Sequence, residues 1–145
     1  MTISGGRIKL TQPTSSINAP NLAMIDNSGF VVTSGGSLTL PAPTTYSVEI
    51  LRTETFSASQ GQLAFPALTT LDYNIPFIGP NANVPSAAGA TIDLSAVQSI
   101  IVCDNLSTLT FNASGNSQID LSSLTTFDTQ KVVFNADGTS EILRP

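Results

Sequence analysis

Nine residues, "IDLSSLTTF" from Ile119 to Phe127, have a near copy in "IDLSAVQSI" (Ile92 to Ile100) and a looser one in "LAFPALTTL" (Leu63 to Leu71). A phrase that recurs within one short chain marks a repeat architecture, in which each unit buries its apolar side against the next copy of itself. The pattern is apolar-x-apolar, a small residue or proline, any residue, an apolar residue, two hydroxyl-type residues, then an apolar or aromatic one. It reads Leu38-Leu40-Pro43-Tyr46, Leu63-Phe65-Leu68-Leu71, Ile92-Leu94-Val97-Ile100 and Ile119-Leu121-Leu124-Phe127. A worn first copy is placed at Ile8-Leu10 and a truncated last one at Ile142. The anchors near 8, 38, 63, 92, 119 and 142 are thus 23–30 residues apart.

A glycine precedes every anchor by two to four residues: Gly6, Gly36, Gly61, Gly89, Gly115 and Gly138. Ahead of the glycine a second phrase recurs as "FSASQG" at Phe56, "FNASG" at Phe111 and "FNADG" at Phe134, with "FVVTSGG" at Phe30 a looser relative. Inside each unit the hydrophobic period is two. Ile92 and Leu94 flank Asp93, Tyr46, Val48 and Ile50 alternate with polar residues, and Leu109, Phe111 and Ala113 flank Thr110 and Asn112. That alternation is strand patterning, broken at Ser/Pro/Asn/Gly clusters. Units of this length with about three short strands predict an all-β fold, a parallel β-solenoid (β-helix) of about five coils over residues 1–145. Coils would stack at roughly 4.8 Å, with inward apolar residues in continuous ladders. Two other folds compete. A leucine-rich-repeat horseshoe fits "LSAVQSIIVCDNL", but Thr129 falls where the next unit needs an apolar residue, and no segment has helical character. An antiparallel β-sandwich is the second.

Composition excludes several functions. Only 10% of residues are charged, the net charge is −5, and the five basic residues Arg7, Lys9, Arg52, Lys131 and Arg144 are scattered singly. No basic stripe exists to neutralise phosphates, so nucleic acid is not an expected partner. The longest aliphatic run, "SIIVC", is far short of the roughly 20 residues of a membrane helix, so no membrane insertion is expected. Serine and threonine, 36 of 145 residues, give a surface that is polar without being ionic. There is no histidine, and Cys103 is the one cysteine, so neither an intrachain disulfide nor a Cys/His zinc site can form. Cys103, next to Asp104 with no basic neighbour, reads as a small buried hydrophobe. The start, "MTISGGRIKL", lacks the apolar core of a secretory signal.

Phrases such as "GATIDLSAVQSI", "GNSQIDLSSLTTF" and "QGQLAFPALTTLD" resemble the degenerate repeats of very large bacterial surface and secreted proteins, the β-solenoid stalks of adhesins and exoproteins. The resemblance covers roughly residues 34–145. It implies a segment of a longer extracellular or cell-surface protein, and the family has no fixed catalytic motif to carry over.

Candidate chemistry is sparse. Asp93 and Asp120 share one outward slot in adjacent units, and β-solenoid polysaccharide lyases and hydrolases use clustered carboxylates with a cation or as an acid/base pair. They are the candidate metal or catalytic residues, set against the plainer reading of two acids coinciding on a ladder. Asp72 and Asp128 share another slot, with Ile101 between them. The hydroxyl pairs Thr44-Thr45, Thr69-Thr70 and Thr125-Thr126, with Ser99 after an interrupting Gln98 and Ser15-Ser16 as a worn member, raise ice binding. Adjacent threonines do not both point outward on a strand, so turn and strand roles are preferred. The sequons at Asn105 and Asn112 read as turn and ladder residues. Phe77, with Asn81 and Asn83 in the Pro/Gly-rich loop from Ile75 to Gly89, is a possible contact loop.

The sequence therefore predicts a non-catalytic, cofactor-free stalk segment with open coil edges that invite end-to-end self-association, and a glycan or another protein as partner. The alternative is a carbohydrate-binding or polysaccharide-processing β-helix of the phage tail-spike type.

Overall fold

The computed structural model describes residues 1–49, 56–73, 86–102, 108–129 and 131–145. Its described residues form sixteen strands and no helix. A partial coil of β1 (Arg7–Leu10) and β2 (Ser16–Asn18) opens the fold. Four complete coils follow: β3 (Gly29–Thr33), β4 (Ser37–Thr39), β5 (Thr45–Val48); β6 (Phe56–Ser59), β7 (Gln62–Ala64), β8 (Thr70–Tyr73); β9 (Ser86–Ala88), β10 (Thr91–Asp93), β11 (Ser99–Val102); and β12 (Leu109–Ser114), β13 (Gln118–Asp120), β14 (Thr126–Phe127). A second partial coil, β15 (Val132–Ala136) and β16 (Glu141–Leu143), ends it. Every strand pairs in parallel with its equivalents one coil away. The result is three sheets: β1-β3-β6-β9-β12-β15, β2-β4-β7-β10-β13-β16 and β5-β8-β11-β14. The fold is the all-β parallel solenoid that the repeat predicts, with the expected five coils resolved into four complete ones and a partial one at each end.

The repeated phrase maps onto one half-coil. Its apolar-x-apolar head is the second-sheet strand, in which Leu38, Leu63, Ile92, Ile119 and Ile142 stand in register. The third apolar residue closes a turn onto the second: the N–H groups of Leu68, Val97 and Leu124 donate to the carbonyls of Phe65, Leu94 and Leu121 at 2.9–3.1 Å. The chain then enters the third sheet, where Tyr46, Leu71, Ile100 and Phe127 are aligned. The hydroxyl pair sits at that entry. The carbonyl of Thr44 accepts from both Thr69 and Thr70, that of Thr69 from both Gln98 and Ser99, and that of Gln98 from both Thr125 and Thr126.

The core is the sum of these inward files. Phe30, Tyr46, Phe56, Phe65 and Tyr73 pack ring on ring at 4.6–6.0 Å between centroids, all fully buried. Phe30 pairs with Phe56, and Phe111 with Phe134.

The corner between the first and second sheets explains the glycines. A Cβ on Gly61 would meet the Gly36 carbonyl oxygen at 2.6 Å and Val32 Cγ1 at 2.8 Å, so the coils approach there too closely for any side chain. Just before that point the chain turns through the left-handed region at Ser34, Gly35, Gln60, Gly89, Gly115 and Asn116.

Two expectations need correction. Ile8 does not begin the anchor file: it lies in the first sheet beside Phe30, and Ile17, beside Leu38, opens the file instead. The worn coil misleads because its first-sheet strand, Ile8-x-Leu10, carries the apolar pair that later coils carry in the second sheet, while "SIN" keeps a single apolar residue. For the same reason Ser16 pairs with Ser37 in the second sheet and does not extend the hydroxyl file.

Candidate functional site

Three outward features offer chemistry: the Asp93–Asp120 ladder, the glycine corner and the two ends. β10 and β13 place Asp93 and Asp120 in register on the outer face of the second sheet, as their spacing predicts. Each carboxylate turns back to its own chain. Asp93 Oδ1 accepts the Ser95 N–H at 3.0 Å, and Asp120 Oδ1 accepts the Ser122 N–H at 2.9 Å. These contacts lock the turn that follows each strand. The file continues to Ala64 on one side and Leu143 on the other, so no third acid joins the pair. Among the described residues no group of three or more His, Cys, Asp or Glu side chains is placed to hold a metal.

Asp137 is the carboxylate that sequence reasoning passed over. It accepts from Gly115 N–H one coil below at 2.7 Å and from the Thr139 N–H and hydroxyl at 3.0 and 2.9 Å. The Gly115 bond first, then bonds from Ser140 and Thr139, hold its carboxyl well below the usual range. The signal was present: "FNADG" puts an aspartate where "FNASG" has Ser114.

The hydroxyl file forms, with Thr45, Thr70, Ser99 and Thr126 in register. Its neighbouring outward file is Ser47, Asp72 and Ile101, so no second threonine rank lies beside it. The Thr69 and Thr125 hydroxyls donate to the carbonyls of Thr44 and Gln98. Asn112 is a ladder residue, accepting from Asn135 Nδ2 at 3.0 Å. Asp72 and Tyr73, at the far end of β8, hold buried oxygens, Asp72 Oδ1 and the Tyr73 hydroxyl, that find no hydrogen-bond partner among the described residues. Phe77, Asn81, Asn83, Cys103 and Asn105 lie outside the described residues.

An open groove of about 490 Å³ runs along the glycine corner across several coils, lined by Gly36, Gln60, Gly61, Gln62, Thr91 and Asn116 among others. Its walls are uncharged donors and acceptors. At the end formed by β15 and β16, here the upper end, a second hollow of about 360 Å³ lies between Leu124, Phe127, Ile142, Arg144 and Pro145. The Arg144 guanidinium covers the Phe134 ring there, 4.7 Å from its centroid. At the lower end, below β1 and β2, Ile17 and Met24 are 39% and 54% exposed. No helix among the described residues is long and apolar enough to cross a membrane.

No family model, curated protein or solved structure matches the chain.

Proposed function

We propose that this chain is a non-catalytic structural segment, a β-solenoid stalk or spacer of an adhesin-like bacterial protein at the cell surface or outside the cell. The observation that carries the reading is the use made of the outward carboxylates. Asp93, Asp120 and Asp137 are each engaged by backbone N–H groups of the turns and coils they stabilise. A pair of carboxylates working on a glycosidic bond must instead face each other across a substrate, one as acid and one as base or nucleophile. Stacked coils with repeated inward files suit a rod that holds two things apart, because its length grows by one strand spacing per coil. The test is release of reducing ends from neutral and acidic polysaccharides by the purified chain. None above blank is expected; release that disappears in Asp93→Asn overturns the reading.

A second reading, binding of a neutral glycan, is favoured by the glycine-corner groove, whose amide and hydroxyl walls match sugar hydroxyls without calling for charge. A glycan array separates the two, since binding that is lost on Gln62→Ala and Asn116→Ala supports this reading over a plain spacer.

A further inference from the structure

Elsewhere on the solenoid, outward polar side chains serve the fold itself. Asp93, Asp120 and Asp137 accept backbone N–H groups, the Thr69 and Thr125 hydroxyls donate to carbonyls one coil away, and Asn112 accepts from Asn135. The groove at the glycine corner differs. Gln60, Gln62 and Asn116 line it with exposed side-chain amides that have no hydrogen-bond partner among the described residues. The backbone beneath is occupied: the N–H groups of Gln62, Thr91 and Gln118 donate to the carbonyls of Gly36, Gly61 and Ala90 at 2.9–3.0 Å. A peptide therefore cannot add here as a further strand, and a ligand is read by side chains. The close approach of the coils sets the shape. Gly36 and Gly61 carry no side chain and Ala90 is buried, so the floor stays low. Ser37, Gln62 and Thr91, in register, wall the second-sheet side, and the turn residues Gln60 and Asn116 the other. Four successive coils contribute, so the groove follows the stacking axis for three steps of about 4.8 Å, roughly 14 Å in all.

We infer that this groove takes an extended run of a linear, neutral, β-1,4-linked polysaccharide, laid parallel to the stacking axis with one sugar to each coil. This rests on the glycan-binding reading above and names its substrate class and direction. The walls repeat once per coil, so a polymer that advances by close to one strand spacing per residue meets an equivalent place at each step. Flat β-1,4-linked pyranose chains advance in that way, whereas α-1,4-linked chains coil away from the line of the groove. Each amide offers a carbonyl acceptor and two N–H donors, which suit sugar hydroxyls that both donate and accept. Charge selects against acidic polymers. The lining holds no ionic group, and the charges flanking it are carboxylates: Asp93, two residues along β10 from Thr91, and Asp137, which takes the Gly115 N–H next to Asn116. A uronate chain would bring like charges against both. Among the described residues no aromatic ring lines the groove for a sugar to stack on, so affinity accumulates from coil to coil and depends on chain length.

Titration of the full chain with β-1,4-linked gluco-, manno- and xylo-oligosaccharides of increasing length, followed by amide chemical shifts and calorimetry, tests this. In at least one series affinity should rise by about tenfold or more from disaccharide to tetrasaccharide and then level off, with shifts centred on Gln60, Gln62, Thr91 and Asn116. Malto-oligosaccharides and oligogalacturonates of equal length should bind about tenfold more weakly or worse. Gln62→Ala, Gln60→Gly and Asn116→Gly should each weaken tetrasaccharide binding several-fold with unchanged circular dichroism; glycine is chosen at 60 and 116 because both hold a left-handed φ. Affinity that ignores chain length, equal binding of the malto series or of the acidic series, full affinity in the three variants, or no binding by any β-1,4 series overturns the inference. The reading beneath it fails separately, when no neutral glycan of any linkage shifts the corner amides.

Discussion

The file Ile17, Leu38, Leu63, Ile92, Ile119, Ile142 compares the middle of the solenoid with its ends using nearly the same side chain throughout. The four interior members are fully buried, whereas Ile17 is 39% exposed and Ile142 half-buried. Nothing in the residues themselves differs; what differs is whether a coil lies on both sides. In a one-dimensional stack, stability is close to a sum of nearest-neighbour terms, so an interior residue has two such interfaces and a terminal one has one. Leu63→Ala should therefore cost about 2–5 kcal/mol, the range for emptying a close-packed core site. Ile17→Ala should cost under about 1 kcal/mol, as for partly exposed sites. Urea unfolding monitored by circular dichroism measures both. Equal costs would break the comparison and show that the lower end is sealed in solution.

The same contrast holds for glycine. Gly61 lies between coils with no room for a Cβ, while a Cβ on Gly138 in the last coil would meet nothing within 4 Å. Gly61→Ala should destabilise by about 1–3 kcal/mol, because the Gly36 carbonyl and Val32 must shift. Gly138→Ala should be within about 0.5 kcal/mol of the parent. Equal melting temperatures for the two variants would mean that the corner is looser than its contacts imply.

How much of this was legible in the sequence depended on whether a residue faced in or out. Inward positions repeat because each packs on its own copy, so Ile92 over Leu63 and Ile100 over Leu71 could be aligned from spacing alone. The glycine corner was legible only in part: Gly36 and Gly61 sit at the close approach, the same slot holds Ala90 and Ser117 in the next two coils, and Gly89 and Gly115 serve the left-handed turn before it. The first coil was misread because it pairs with a neighbour on one side only. With less of its surface buried, its apolar pattern is free to thin, and Ile8 passed for an anchor that is in fact Ile17. Outward positions carry no such constraint. Asp93 and Asp120 were found as a pair, but that their oxygens bind Ser95 and Ser122 N–H groups follows from the turn path, which spacing does not encode. Asp137 differs from its equivalents by one residue type, and only the coil below it, through Gly115, gives that difference a role.

Tyr73 sharpens the interior side of the comparison. Its hydroxyl is buried with no hydrogen-bond partner among the described residues, and burial pushes the phenol well above its ordinary pKa. Tyr73→Phe keeps the ring contact with Tyr46 and removes the desolvated oxygen, so stability should rise by up to about 1 kcal/mol. The sign of the pH effect follows. A phenol whose folded pKa is raised leaves stability intact below its ordinary value of about 10, and stability falls as pH climbs from there towards the folded value. The wild type should lose stability along that alkaline limb, and Tyr73→Phe should lose less. Identical alkaline limbs would mean that water or a neighbouring chain segment reaches the hydroxyl.

Asp137 gives the smallest effect and the opposite sign, at the open end. Its carboxyl is held low first by the Gly115 N–H of the coil beneath and then by Ser140 and Thr139 of its own turn, so part of what favours the charged form is present only when β15 and β16 are docked. A carboxyl depressed in the folded state contributes stability that is whole above its ordinary pKa, about 3.8, and is lost as pH falls towards the folded value. The side chain is fully exposed, so solvent screens the contribution and the whole-chain transition should move little. The effect should be local: below that pH the protection factors of amides in β15 and β16 should fall while those in β7 and β10 hold. Asp137→Asn should show a smaller fall in those two strands. A matching loss of protection in β7 and β10 would show that the last coil melts with the middle, and the ends would then no longer be the separate, weaker units that their half-buried files describe.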